Sequence, residues 1–203
     1  MNSSYWIRFL YGSASILSGI AAKIVNFTDF RSVKKQNDTM NEILFYGSDS
    51  NEENQKVGLN NLFCIYYIIV HAIETIDVCV PTLRSETISE CLVSVHQKNH
   101  VKVRVVVHNS EDLQIFKSFL DCGIEVKIIK SEVKLEHEFL LIDANCRDAV
   151  AIVGSLNYEV SRINCNRDST LLTSEKALIS VLKREFERIW TSSKNTINKQ
   201  NCE

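Results

Sequence analysis

Three short runs rich in β-branched residues, Ile76–Val80, Val101–Val107 and Ile124–Ile129, are separated by segments of helix length. This spacing constrains the fold more than any other feature of the chain. Pro81 closes the first run, as expected of a strand end. Ser85 can cap the first intervening helix, with Ile88, Leu92, Val93 and Val95 apolar and Glu86, Glu90 and Gln97 polar. Ser110 caps the second, Glu111 to Asp121, and Gly123 stands where a helix stop belongs. Strand, helix, strand, helix, strand at these distances predicts parallel βαβ crossovers, hence an α/β sheet with helices on its faces.

The flanks extend that sheet. Upstream, Glu42–Tyr46 reads as a strand, Ser48–Gly58 as a polar loop and Leu59–Thr75 as a helix. Downstream, Phe139–Asp143, Ala149–Val153 and Thr170–Thr173 read as three further strands on short connections. A closing helix over Glu175–Thr191 carries Leu178, Val181, Leu182, Phe186, Ile189 and Trp190 at helical spacing, which predicts a core-facing stripe. A chain of 203 residues that is 45% hydrophobic suits one domain with short extensions. That domain is expected at residues 41–192, with a polar tail over 193–203.

The N-terminal stretch is different. Phe9 to Phe27 is apolar and rich in small residues, with Arg8 before it and Arg31, Lys34 and Lys35 after it. Residues 1–30 read as a membrane anchor or a soluble amphipathic segment, since Lys23 shortens an apolar run that needs about 20 residues to span. Residues 31–40 read as a linker. A net charge of −2 excludes a global basic field for nucleic acid but leaves a local basic groove open. The seven cysteines (Cys64, Cys79, Cys91, Cys122, Cys146, Cys165 and Cys202) are scattered, most within apolar runs, so they read as buried reduced thiols. No Cys-x-x-Cys spacing or Cys/His quartet points to a metal, and no cofactor is expected.

The chemistry should lie in Glu136-His137-Glu138-Phe139-Leu140-Leu141-Ile142-Asp143, followed by Gly154-Ser155-Leu156-Asn157-Tyr158 and Asn166-Arg167-Asp168-Ser169. Together these resemble the phospholipase D superfamily signature: His-x-Lys, four residues, Asp, then Gly-Ser-x-Asn and a downstream acid. The closing Phe186-Glu187-Arg188-Ile189-Trp190 makes the chain most similar to the Zucchini-type mitochondrial cardiolipin hydrolases. The resemblance implies a single phospholipase D-like α/β domain, a mixed β-sheet flanked by helices. It also implies phosphodiester hydrolysis of cardiolipin or single-stranded piRNA precursors, without a metal, by a dimer on the cytosolic side of the mitochondrial outer membrane. In that chemistry a His attacks phosphorus, a Lys binds the phosphate oxygens and a second His protonates the leaving group.

This chain departs from the pattern at its centre. Counting back from Asp143, Glu136 stands at the nucleophile position and Glu138 at the phosphate-binding lysine position. Ser155, Asn157 and Asp168 match the supporting residues, while Ser169 replaces a usual asparagine. Neighbouring side chains on a strand point to opposite faces, so His137 should face away from Glu136 and Glu138 and serve packing or a hydrogen bond there. The zinc-binding Cys/His insertion of Zucchini-like proteins is absent, since residues 47–58 contain neither residue type.

A lysine about 4 Å from a phosphate contributes on the order of 4 kcal/mol at an effective dielectric near 20, and glutamate reverses the sign. These positions therefore predict an inactive paralogue kept as a binding or regulatory subunit. Its expected partners are a second copy or an active relative, with weak contact to single-stranded RNA or anionic phospholipid and a membrane reached through the N-terminus. Two alternatives stand beside it. Glu136, Glu138 and Asp168 could hold Mg²⁺ or Mn²⁺ for altered, metal-assisted hydrolysis, or the chain could be a membrane-bound structural protein. A cytoplasmic location follows if the mitochondrial resemblance does not carry over.

Overall fold

Seven strands form one mixed sheet in this computed structural model, which describes residues 39–47, 52–108, 113–155 and 167–192. In chain order the elements are β1 (Asn41–Tyr46), α1 (Glu52–Val70), β2 (Thr75–Cys79), α2 (Glu86–Asn99), β3 (Lys102–His108) and α3 (Leu113–Cys122). There follow β4 (Glu125–Ile129), β5 (Phe139–Ile142), β6 (Val150–Gly154), β7 (Asp168–Thr173) and α4 (Lys176–Thr191). The strand order is β1-β7-β6-β5-β2-β3-β4. The predicted βαβ units supply the parallel half, β2-β3-β4, and all other neighbours pair antiparallel. The connection between Ile142 and Val150 is too short for a parallel crossover, so β6 folds back antiparallel on β5, and β7 then pairs antiparallel with β6.

Period-two alternation divides the sheet into two buried faces. Ile76 and Val78 of β2, Val103, Val105 and Val107 of β3, and Leu140 and Ile142 of β5 point to one face, under α1, α2 and α3. Cys79, Val106, Phe139, Leu141 and Ala151 point to the other, where Ile179, Phe186 and Ile189 of α4 cover them. Burying side chains of this size contributes roughly 1.5–3 kcal/mol each. Ser85 caps α2 as expected, its Oγ accepting the Ile88 N–H at 3.2 Å.

The face beneath α4 also holds two cations, Arg104, half-buried, and Lys127, buried. The Arg104 guanidinium donates to both Asp77 oxygens at 2.7 and 2.8 Å and to Glu187 of α4 at 2.7 Å, while stacking on Phe186 and Trp190. Burial works to lower its pKa, but the bonds from Asp77 and Glu187 outweigh that and hold it above the ordinary arginine value. Lys127 of β4 donates from Nζ to the Trp190 and Ser192 carbonyls, closing the C-terminal end of α4.

Several sequence expectations need correction. Residues 52–58 are helical rather than a loop, because the Glu52-Glu53-Asn54-Gln55-Lys56 run contains good helix formers and no breaker. The same helix stops at Val70 instead of Thr75, since Ile73, Glu74 and Thr75 give their N–H groups to Asp143. In α4, Leu178 and Val181 are exposed at 46% and 53%, and Ile179, which the expected stripe omitted, is buried in their place. Of the thiols, Cys79 is fully buried and Cys64, Cys91, Cys122 and Cys146 are half-buried, none in a disulfide among the described residues. The expected anchor (residues 1–30), most of the linker, the polar tail, Cys165 and Cys202 lie outside the described residues. Among the described residues no helix is long and apolar enough to cross a membrane.

Candidate functional site

The glutamate-bearing segment enters β5 from its N-terminal side. The Gly154 N–H donates to the Glu138 carbonyl at 2.9 Å, so the β5–β6 ladder runs one residue beyond the strand as assigned. Leu135 and Phe139 both pack into the core under α4, and His137 donates or accepts at Nε2 with Glu185 of α4 at 3.0 Å. Alternation therefore puts Glu136 and Glu138 on the opposite face, that of α1, α2 and α3. Glu136 is exposed and Glu138 half-buried. The imidazole and the two carboxylates are thus on different sides of the sheet.

His137 belongs to a small polar network that the sequence did not suggest. Glu185 also accepts from Arg188 at 2.7 and 2.8 Å. Arg188 foremost, with His137 adding to it, holds the Glu185 carboxyl below the usual carboxylate range despite its partial burial. The signal was present only as an i,i+3 Glu–Arg pair on a helix; its contact with His137 depends on where α4 crosses the sheet.

Across the sheet from Glu138 the row continues through Gly154 of β6 and Thr170 of β7 to Leu44 of β1. Gly154 has φ +121°, and a Cβ there would lie 2.8 Å from the Ser169 carbonyl oxygen. Only glycine lets β6 approach β7 this closely. Ser155 follows, half-buried at the end of β6, and Asn157 lies outside the described residues. Thr170 is fully buried, and among the described residues its Oγ1 meets no hydrogen-bond partner. That unsatisfied hydroxyl beside the Gly154 approach was not anticipated; the Thr-x-Leu alternation of β7 is its only trace in the sequence.

Two expected site residues are set apart. Asp143 lies at the other end of β5, buried at 2% exposure with φ +53°. Its carboxylate accepts the Ile73 N–H at 3.0 and 3.1 Å, that of Glu74 at 2.7 Å and that of Thr75 at 3.0 Å. This clamps the α1–β2 turn far from Glu138. Asp168 opens β7 opposite Tyr46 and turns its Oδ1 onto the Ser169 N–H at 2.7 Å. Because β6 separates β5 from β7, their backbones are about 10 Å apart. Among the described residues no three His, Cys, Asp or Glu side chains are grouped to hold a metal ion. The expected Glu136, Glu138 and Asp168 metal triad is therefore not assembled.

A family model described as a cardiolipin synthase, PLD-like domain, matches residues 65–190, which contain the Glu136–Asp143 motif and every strand of the sheet but β1. The chain belongs to the phospholipase D-like family. Phospholipase D-like relatives include the mitochondrial cardiolipin hydrolases of Xenopus laevis and Homo sapiens. They are 27% and 28% identical over 60% and 57% of this chain, and over 57% and 45% of their own lengths. The chain spans about half the length of the curated relatives it matches.

Solved structures agree on the fold. Nuc from Salmonella typhimurium, a phospholipase D family member, superposes with a TM-score of 0.61 at 12% identity, over 80% of this chain and all of its own. NucT from Helicobacter pylori gives 0.59 at 16% identity, over 79% of this chain and 99% of its own.

Proposed function

We propose that this chain is a catalytically silent phospholipase D-like protein that acts as a binding or regulatory subunit rather than as a phosphodiesterase. The observation that carries this reading is the division across β5. By motif spacing Glu136 and Glu138 stand where the family's nucleophile and phosphate clamp are expected, on one face of the strand, while His137 between them turns to α4 and meets Glu185. Two carboxylates on one strand face repel an incoming phosphodiester and supply neither attack on phosphorus nor a cationic clamp. Gly154 and Ser155 of the Gly-Ser-x-Asn run, beside Glu138, support a scaffold kept without its reacting groups.

The relatives' name, mitochondrial cardiolipin hydrolase, supports an anionic phospholipid as the ligand class and mitochondria as the location. The regulatory role rests on pairing with an active relative, tested by co-purification and cleavage of single-stranded RNA by the pair. Two proteins that do not interact would remove it.

The deciding assay is hydrolysis of bis-p-nitrophenyl phosphate by wild type, Glu138→Ala and the double variant Glu136→His, Glu138→Lys. Activity is expected in the double variant alone. Turnover by wild type that Glu138→Ala abolishes overturns the reading.

A further inference from the structure

Helix α4 covers only part of its sheet face. The core beneath it draws on Cys79 of β2, Val106 of β3, Phe139 and Leu141 of β5 and Ala151 of β6, and on no described residue of β1 or β7. Leu44 and Tyr46 of β1 and Leu172 of β7 are buried on the opposite face, so alternation turns Ile43, Phe45 and Leu171 toward the α4 side. Ile43, Leu171 and Val153 stand in one row across β1, β7 and β6, and Phe45 pairs with Ser169 two residues further on. Ile43 and Phe45 are 57% and 67% exposed.

The helix beside this bare strip is also apolar. Leu178, Val181 and Glu185 recur at i, i+3 and i+7 and so share one flank of α4. Glu185 meets His137 just before β5, so that flank faces the end of the sheet where β1 and β6 finish and β7 begins. Leu178 and Val181 are 46% and 53% exposed along it. Sheet strip and helix flank meet as an apolar corner. From β6 to β1 is two strand spacings, about 10 Å, which is the width of one helix.

We infer that this corner seats the chain's own Phe9–Phe27 stretch, which lies outside the described residues. At helical spacing the stretch is apolar on one side, with Ile16, Ile20, Ile24 and Phe27 there and Ser15, Ser18, Lys23 and Asn26 opposite. A segment that spans a membrane is apolar all round, and one that lies on an anionic membrane carries a polar face rich in Lys and Arg. One-sided polarity with Lys23 as the stretch's single charge matches a segment laid against protein.

Chain connection brings the stretch to the same place. Residues 28–40 join it to Asn41 at the start of β1, the strand that carries Ile43 and Phe45, and a connection of that length reaches up to roughly 40 Å. A flat bilayer fits less well, because α4 stands a helix diameter, about 10 Å, above the sheet and would hold it off the floor of the corner. The contact uses side chains on the sheet face and leaves the backbone edge of β1 alone, where Asn61 Nδ2 already donates to the Phe45 carbonyl at 3.0 Å. Glu136 and Glu138 are on the other face, so the inference is independent of the proposed function.

The test is photo-cross-linking of the full 203-residue chain carrying Phe45→p-benzoylphenylalanine, read by gel and peptide mass spectrometry. A cross-link within one chain to residues 9–27 is expected. The same probe at Val133, 80% exposed elsewhere, should give none to that stretch. Ile16→Lys with Ile20→Lys should abolish the cross-link with circular dichroism unchanged, whereas Ser15→Lys with Ser18→Lys, on the polar side, should leave it intact. No cross-link to residues 9–27, or one that survives Ile16→Lys with Ile20→Lys, overturns the inference. A cross-link to a second copy, seen at doubled mass, overturns it as well. With phosphatidylcholine–cardiolipin vesicles present, a cross-link to lipid in place of residues 9–27 assigns the corner to a membrane and also overturns it.

Discussion

Replacing Asp143 tests whether the motif aspartate is a structural clamp. Its carboxylate serves three backbone donors, Ile73, Glu74 and Thr75, while its own N–H donates to the Thr75 carbonyl at 2.8 Å. A hydrogen bond to a charged group contributes about 1.5–3 kcal/mol net, and less where water can take over. Ile73 and Glu74 are exposed and Thr75 is half-buried. The three bonds therefore amount to roughly 3 kcal/mol, with Thr75 the largest share. Asp143 also holds φ +53°, which costs a residue such as alanine about 1–2 kcal/mol more.

Asp143→Ala should then lose about 4–5 kcal/mol, Asp143→Gly about 3, and Asp143→Asn about 1–2, since asparagine keeps an acceptor and tolerates the left-handed region. Urea unfolding followed by circular dichroism measures this; at 2–4 °C per kcal/mol, the alanine variant should melt roughly 8–20 °C lower. An alanine variant within about 0.5 kcal/mol of wild type, or an asparagine variant worse than alanine, refutes the clamp.

Three further outcomes follow from neighbouring parts of the molecule. Gly154→Ala should cost about 2–4 kcal/mol and perturb β6–β7 pairing, read as faster amide exchange at Thr170, because its Cβ meets the Ser169 carbonyl and its φ is left-handed. Arg104→Ala leaves Asp77 buried without its cation and should cost about 3–5 kcal/mol in urea unfolding; Arg104→Met with Asp77→Leu should recover most of that. Burial, assisted by the Glu185 charge, pushes the Cys79 thiol up to about 12 from an ordinary 9. A raised folded pKa means that this thiol's preference for the folded state holds below pH 9 and weakens as the pH climbs from 9 toward 12. Iodoacetamide at pH 8 should spare Cys79 in the native protein and label it in urea, as peptide mass spectrometry would read.

The local signals determined much of this protein. The β-branched runs, the Ser85 cap and the spacing between them specified the parallel β2-β3-β4 core, because period-two and period-3.6 burial are written into neighbouring residues. The same alternation placed Glu136 and Glu138 together and His137 opposite, which required only that residues 135–139 stay extended.

Tertiary structure alone decided the rest. Whether Leu178 or Ile179 faces the core depends on how α4 is rotated against a sheet built from distant segments. That Asp143 clamps a turn some 70 residues upstream, and that β6 lies between Glu138 and Asp168, follow from strand order. Spacing along a chain does not encode strand order, because it is set by which long-range pairings bury the most apolar surface together.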